Sequence, residues 1–576
     1  MTERKHERFQ TEPRASAARY AVLIVLAAAV MFLPSWAARD LWTPDEPRYM
    51  EVAREMAITG NYLVPHLNGE PYPDKPPLFF WLAAGFYKLG VGLNSGRLLA
   101  ALGVVGALLL TYRFALRFLD ESAAVLAALA TLTTYLFVEC RAGVLDPVLA
   151  FFVVGALLLG YRALQPETRR RGAYWLGAYA LAAMGCLTKG PVGVLHPGLV
   201  LLVYGLLNRR RVRPGGWWHL AGAGGFVALV AAWVVPAVLA AGEAYRDNLL
   251  FRQNLARVVR SYSHRQPFHF FLVRYPLSFF PWSVLFPLAL IAAVLAWWRA
   301  RDDKALLMAC WFGVVFVFHS LISCKRAGYL VPIAPAVGLG VGWYAANGLR
   351  HGFPWPRWHR SLAAVSCALI GLVGAFAAVG PLIVSGVVSR SPKPAAFLCA
   401  VVAELTPWTY VSSALAGVLI LGVAAWGFVL AVRHRTPGRV FGLLVALVLI
   451  ISLYLDGVVT PPLNRVKSGR FFSELAAPYL RQADRVRLLR NDMSGVYNLY
   501  TGRLAMPVLL EAEDVRRALA QGGKLAIIAR EHRWERMTRE LDTTGCRVVV
   551  RRLVSSRPMV LIVNWKPQGQ KAATAS

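Results

Sequence analysis

Residues 20–38 read YAVLIVLAAAVMFLPSWAA, and residues 41–83 read LWTPDEPRYMEVAREMAITGNYLVPHLNGEPYPDKPPLFFWLA. The first stretch is a continuous apolar run close to the ~20 residues a helix needs to cross the hydrocarbon core of a bilayer. The second is crowded with proline, carboxylates and basic residues. That succession decides the fold class, because the apolar half repeats along the chain. Comparable runs lie near 97–116, 122–138, 147–164, 173–187, 191–208 and 218–241, then 275–298, 305–322, 329–348, 361–388, 409–432 and 439–458. The expectation is a membrane all-α protein of about thirteen transmembrane helices, with the two termini on opposite sides.

Composition agrees. The chain has 576 residues, 57% hydrophobic and only 16% charged, well under the quarter usual for soluble domains. Its net charge of +32 comes from 63 Lys+Arg against 31 Asp+Glu. The basic residues fall between apolar runs, which points to the positive-inside rule and a lipid bilayer rather than to nucleic acid. Short basic loops at Arg113/Arg117, Arg169–Arg171, Arg209–Arg211, Arg299/Arg301/Lys304, Arg357/Arg360 and Arg433/Arg435 are therefore read as cytoplasmic, together with a basic N-terminus over 1–19. The transmembrane part is read as 20–460, its first helix retained rather than cleaved, with large outer loops at 39–96 and 242–274. Residues 461–576 alternate helical stretches with short apolar runs, the pattern of a small extracytoplasmic α/β domain. The seven cysteines are scattered and form no CxxC pair, which argues against a disulfide framework or a thiolate zinc site.

The unusual residues collect on the outer side. Asp45 and Glu46 are adjacent, so on a helix they diverge by ~100° and only one faces a cleft squarely; capping of the following helix by Thr43 and Asp45 is the structural alternative. Asp74-Lys75-Pro76-Pro77 holds a lysine rigidly before an apolar run, either as a phosphate contact or as a snorkelling side chain. Asp146 precedes Pro147 at the mouth of a span, where a carboxylate is either functional or a helix cap. Thr188-Lys189-Gly190-Pro191 and Ser323-Cys324-Lys325-Arg326-Ala327-Gly328-Tyr329 are tight turns whose cations would rim an outer cavity fit for an anionic headgroup. The loop 242–274 carries Arg257, His264 and His269. Asp74 with His264 makes a candidate divalent-metal pair, zinc foremost, that would brace two loops.

In this order the residues resemble the bacterial glycosyltransferase-C superfamily, in its aminoarabinose-transferase and protein-O-mannosyltransferase branch. The carriers are Asp45, Glu46, Arg48 and Tyr49; Tyr72 and Lys75-Pro76-Pro77; Asp146; 188–191; Arg257, His264, Pro267 and Phe268; and Lys325, Tyr329 and Pro332. Many aminoarabinose transferases have Glu where Asp74 stands, and an aromatic where Val258 stands.

The resemblance implies a sugar donor linked to undecaprenyl phosphate, most specifically 4-amino-4-deoxy-L-arabinose, and lipid A as acceptor. It implies a periplasmic active site in the bacterial inner membrane and protection against cationic peptides such as polymyxin. Asp45 is then the main catalytic group, supported by Glu46 and Asp146, with inversion at the anomeric carbon. Lys75, Arg257 and Lys325 would steady the leaving phosphate, and Arg48, Tyr49, Tyr72, Lys189 and Tyr329 would line the substrate site. The alternatives are transfer of another polyprenyl-linked sugar to a glycan or protein hydroxyl, and a lipid-carrier flippase.

Overall fold

The computed structural model describes residues 15–213, 215–255, 265–350, 357–391, 395–433, 437–490, 493–566 and 573–574. It is a helical bundle with a small sheet at its C-terminal end. Nine helices among the described residues are long and apolar enough to cross a membrane, and three shorter apolar ones accompany them, Glu121–Leu132, Val192–Leu207 and Phe286–Ala300. All thirteen expected stretches fall on helix.

Three of those stretches are broken rather than continuous, each for a local reason. The run 122–138 divides at Thr133–Thr134 into Glu121–Leu132 and Tyr135–Glu139. The run 275–298 divides around Pro281 into Phe270–Ser278, a 3-10 turn Trp282–Val284, and Phe286–Ala300. The run 329–348 begins as a 3-10 segment, Ala327–Ile333, because Pro332 and Pro335 remove backbone donors there. Breaks of this kind are tolerated at membrane depth where neighbouring protein covers the freed backbone. Two of the breaks answer each other: the Tyr135 backbone N–H donates to the Phe280 carbonyl at 3.1 Å, and the Trp282 indole N–H donates to the Thr133 hydroxyl at 3.0 Å.

The region 39–96 has structure of its own. Helix Asp45–Thr59 ends at Gly60, whose φ of +74° suits the left-handed stop. A two-residue hairpin pairs His66–Leu67 with Glu70–Pro71. An apolar helix, Leu78–Phe86, follows the double proline and leads through a turn at Gly90 and Gly92 into Ser95–Ala115. Nearly all of helix Asp45–Thr59 is buried, although its sequence is polar. It lies under the C-terminal region, not in solvent.

That region forms a six-stranded sheet. In spatial order its strands are Val508–Leu509, Arg485–Leu489, Leu525–Arg530, Arg557–Val563, Arg547–Val554 and Ala573–Thr574. The first three are mutually parallel, and the hairpin Arg547–Val554/Arg557–Val563 adds antiparallel to Leu525–Arg530. Leu525–Arg530 is almost wholly buried, as expected for a central strand covered on both faces. The sheet rests on the 45–72 region through Gly495. A Cβ there would come within 2.6 Å of Leu67 Cδ1, and its φ is +85°, so glycine alone fits.

Candidate active site

Asp45 is the first residue of its helix, and its carboxylate is 20% exposed. Oδ1 accepts from Arg48 Nη2 at 2.5 Å, one turn along the same helix. Oδ2 accepts from Arg326 Nη2 at 3.0 Å, across from the turn at 322–328. Asp45 therefore does not cap the helix. It is held, partly exposed, between two guanidinium groups.

Glu46 points the other way, and its role differs from the expected one. It is 2% exposed. Oε2 accepts from Arg39 Nη2 at 2.6 Å and from the Trp42 backbone N–H at 3.0 Å. Oε1 accepts from Arg97 Nε at 3.1 Å and from the Gly143 backbone N–H at 2.9 Å. Burial alone would raise its pKa, but Arg39, Arg97 and the two N–H groups outweigh that and leave it lowered. A carboxylate with four donors has no lone pair left for substrate. Glu46 is a positioning residue, and the expectation of a supporting catalytic group is corrected. The packing is close: a Cβ on Gly143 would lie 3.1 Å from the Arg97 backbone nitrogen.

Asp146 and Lys189 come together as an ion pair from the start of helix Asp146–Leu164 and the end of helix Arg171–Lys189. The Lys189 ammonium also sits 4.9 Å above the Tyr329 ring. Gly328 packs directly on the Asp146 carboxylate. Tyr49 lies within the field of both this pair and Asp45. It is buried beside Phe79 and Phe80, and Asp45, Arg48, Asp146 and Arg326 all act on its hydroxyl. Burial, reinforced by Asp45, pushes the Tyr49 phenol well above its ordinary value, so it stays neutral. Tyr72 is likewise buried and pushed up by burial, and its hydroxyl has no hydrogen-bond partner among the described residues. A buried hydroxyl of that kind calls for a ligand or water.

Lys75 is partly buried beside Asp74, whose Oδ1 accepts from Gln253 Nε2 at 2.6 Å. That bond ties the 70–77 segment to 247–255. Lys325 departs from expectation. It is 4% exposed, and its ammonium donates to the carbonyls of Gln266 and Ile322. It staples the turn, and burial lowers its pKa. Its neighbour Arg326 reaches the site instead, because the turn directs consecutive side chains to opposite sides. Arg257 and His264 lie outside the described residues. Among the described residues no group of three His, Cys, Asp or Glu is arranged to hold a metal ion. Sequence reasoning also passed over Arg97, whose basic side chain in an apolar helix was the available signal. Beneath Tyr329, His196 and His319 share a hydrogen bond, Nε2 to Nε2 at 2.8 Å.

The bundle thus carries a carboxylate held between two guanidinium groups, with the Asp146–Lys189 pair and two buried phenols among the groups acting on one another. Residues 74–235 match the family described as dolichyl-phosphate-mannose-protein mannosyltransferase. Over 339 residues the chain is 30% identical to the undecaprenyl phosphate-alpha-4-amino-4-deoxy-L-arabinose arabinosyl transferase of Pseudomonas aeruginosa strain LESB58, covering 57% of this chain and 60% of that one. It is 28% identical over 538 residues to transferase 1 of the same description from Sodalis glossinidius, covering 88% of each. The fold matches ArnT from Cupriavidus metallidurans, crystallised with undecaprenyl phosphate, at a TM-score of 0.74 and 22% identity over 96% of this chain and all of that one. It matches the apo oligosaccharyltransferase of Archaeoglobus fulgidus at 0.54 and 13% identity, over 90% of this chain and 70% of that one. The chain is thus similar in sequence to these transferases, spanning about 60% of the length of the first of them, and shares the fold of the Cupriavidus metallidurans protein.

Proposed function

We propose that this protein is an inner-membrane glycosyltransferase that moves 4-amino-4-deoxy-L-arabinose from undecaprenyl phosphate to a phosphate of lipid A at the periplasmic face. Its basic N-terminus is then cytoplasmic and its sheet periplasmic. The observation that carries the reading is the Asp45 carboxylate held between Arg48 and Arg326, with Tyr49 within the field of both it and the Asp146–Lys189 pair. A carboxylate with several cations nearby supports transfer between two phosphates.

In the reaction, an oxygen of the acceptor phosphate forms a bond to the anomeric carbon. The bond from that carbon to the donor phosphate oxygen breaks, its electron pair leaves on undecaprenyl phosphate, and configuration inverts. Negative charge grows on the leaving phosphate, so fixed cations act where they matter most, in the transition state. Lys75 and Arg257 are the groups assigned to that phosphate, with Lys189 and Arg326 at the rim. A phosphate nucleophile is already ionised near neutral pH and needs no base. Asp45, both of whose oxygens accept from guanidinium groups, suits orientation of the amino sugar and stabilisation of oxocarbenium character better than proton abstraction.

A divalent ion between Asp74 and His264 would brace two loops. Asp74 has a carboxylate to offer but is already engaged by Gln253, so no step runs through the ion.

The test is mass spectrometry of lipid A from a strain that makes the donor but lacks its own transferase, complemented with wild type or Asp45→Ala at equal membrane expression. A pentosamine-sized gain with wild type only supports donor, acceptor and residue together. Absence of any gain with well-expressed wild type directs the reading to another polyprenyl-linked sugar, or to a hydroxyl acceptor with Asp45 as base. A gain that survives Asp45→Ala removes Asp45 from the chemistry.

A further inference from the structure

Near the site a second cluster of cations is stacked on two aromatic rings. The Trp42 indole has the Arg39 guanidinium 4.3 Å from its ring centroid and the Lys467 ammonium 4.4 Å from it. The Phe471 ring has Arg465, Arg470 and Arg552 at 6.0, 5.8 and 5.6 Å. Four of these five cations have a carboxylate in contact. Arg39 pairs with Glu46 at 2.6 Å, Arg465 with Glu404 at 3.0 Å, Arg470 with Glu474 at 2.7 Å, and Arg552 with Glu404 at 3.3 Å. Lys467 is the exception: among the described residues no carboxylate lies within ion-pair distance of it. It is half-buried beside a like charge, an arrangement that costs free energy unless an anion completes it.

The position of Lys467 is fixed. Its carbonyl accepts from the Thr43 hydroxyl at 3.1 Å, and Trp42 bridges Ser468 in antiparallel register. The Trp42 indole N–H is held by Asn464 Oδ1 at 2.9 Å, so the ring beneath the ammonium does not turn. Thr43 stands two residues before Asp45. Lys467 therefore flanks the Asp45 segment from the end of helix Thr460–Lys467, while Arg326 flanks it from the 322–328 turn. Glu139 acts on Lys467 from outside ion-pair distance and is itself exposed.

We infer that Lys467, stacked on Trp42, is the seat for a phosphate monoester of the acceptor lipid, separate from the cations that receive the donor phosphate. The inference rests on the transferase reading for the identity of the ligand. Transfer from one phosphate to another needs two anion seats flanking one anomeric carbon, and Lys467 stands beside the Asp45 segment with no carboxylate in contact among the described residues.

The experiment measures binding to the full-length protein in nanodiscs. The probes are lipid A carrying its phosphates, the same lipid A with them removed, inorganic phosphate, and undecaprenyl phosphate. Loss of one charge-assisted contact predicts that Lys467→Gln weakens phosphorylated lipid A by about tenfold or more. Lys467→Arg should retain the affinity, and neither variant should change binding of undecaprenyl phosphate or of phosphate-free lipid A. Lys467→Met, which keeps the stem over Trp42, replaces the glutamine variant if that one fails to accumulate. Unchanged binding of phosphorylated lipid A to Lys467→Gln overturns the inference. So does inorganic phosphate competing as well as the lipid, which would make this a site for the free ion. Transfer assays separate the two ideas. Wild type that binds lipid A through Lys467 but transfers no sugar to it sinks the transferase reading and leaves the seat. Wild type that transfers sugar, with an unchanged KM for lipid A in Lys467→Gln, sinks the seat and leaves the reading.

Discussion

Arg326 donates to Asp45 across 281 residues of sequence, Nη2 to Oδ2 at 3.0 Å, and this contact joins the 322–328 turn to the start of helix Asp45–Thr59. Arg326 is 44% exposed, so the bond is open to solvent and to exchange with an incoming phosphate. Arg326→Ala is expected to lower transfer about tenfold or more, and Asp45→Asn about a hundredfold or more, the range seen when a preorganised electrostatic group is lost. Arg326→Lys should recover only part, because an ammonium lacks the guanidinium fork. Initial rates with purified protein and donor check this. Equal activity of Arg326→Ala and wild type would show the contact to be ornamental.

Glu46 predicts a different outcome. Removing it leaves Arg39 and Arg97 buried without their counter-charge, so Glu46→Ala should cost about 3–5 kcal/mol of stability. Glu46→Gln keeps the shape but not the charge and should fall between. The pKa of Glu46 is lowered in the folded protein, so its contribution is present above the ordinary carboxylate range and is lost as pH falls through the depressed value. Thermal unfolding in detergent from pH 7 downward should show wild type losing stability in acid and Glu46→Gln losing less.

Glu51 carries the opposite sign. It is fully buried, bonded through both oxygens to Arg54 at 2.7 Å, and beside Glu55. Burial is the largest influence. Arg54 opposes it and Glu55 adds to it, and the pKa is pushed up to about 8. Two carboxylates facing one guanidinium retain a proton. The folded state then binds a proton that the unfolded chain has released, so the contribution is full below the ordinary carboxylate value and falls as pH rises toward about 8. Glu51→Gln should flatten the melting temperature between pH 5 and about 8. A wild-type curve that rises over that interval would refute the assignment.

Gly495 tests the joint between sheet and site. Gly495→Val needs a β-branched residue at a φ of +85° and drives its Cβ into Leu67. The expected result is faster proteolysis after residue 467 and reduced transfer, with the bundle still folded by circular dichroism. Gly495→Ala should show the same direction with smaller effect.

Much of this was legible in the sequence, because the length of an apolar run is local information. The thirteen stretches needed nothing beyond their own residues. The divergence of Asp45 and Glu46 was also legible, since helix geometry fixes it. Which of the two stays partly exposed was not, because the partners of Glu46 come from residues 39, 97 and 143. Lys325 and Arg326 show the same limit. Both are basic and adjacent, and only the direction of the turn assigns one to carbonyls and the other to Asp45. Breaks at Thr133, Pro281 and Pro332 escaped a ruler that counts hydrophobicity without asking where backbone donors go.

Asn68, in the hairpin that follows helix Asp45–Thr59, accepts from the Met506 N–H at 2.6 Å and from Asn498 Nδ2 at 2.7 Å, and Arg54 donates to the carbonyls of Gly502 and Arg503. These partners are synthesised more than four hundred residues later. The contacts of Asn68 and Arg54 with the C-terminal segment therefore form only after every intervening helix has been synthesised. Only when the final segment emerges is the helix roofed over. The order of translation therefore makes completion of the chain the condition for this cover, and a product truncated before residue 495 would lack it.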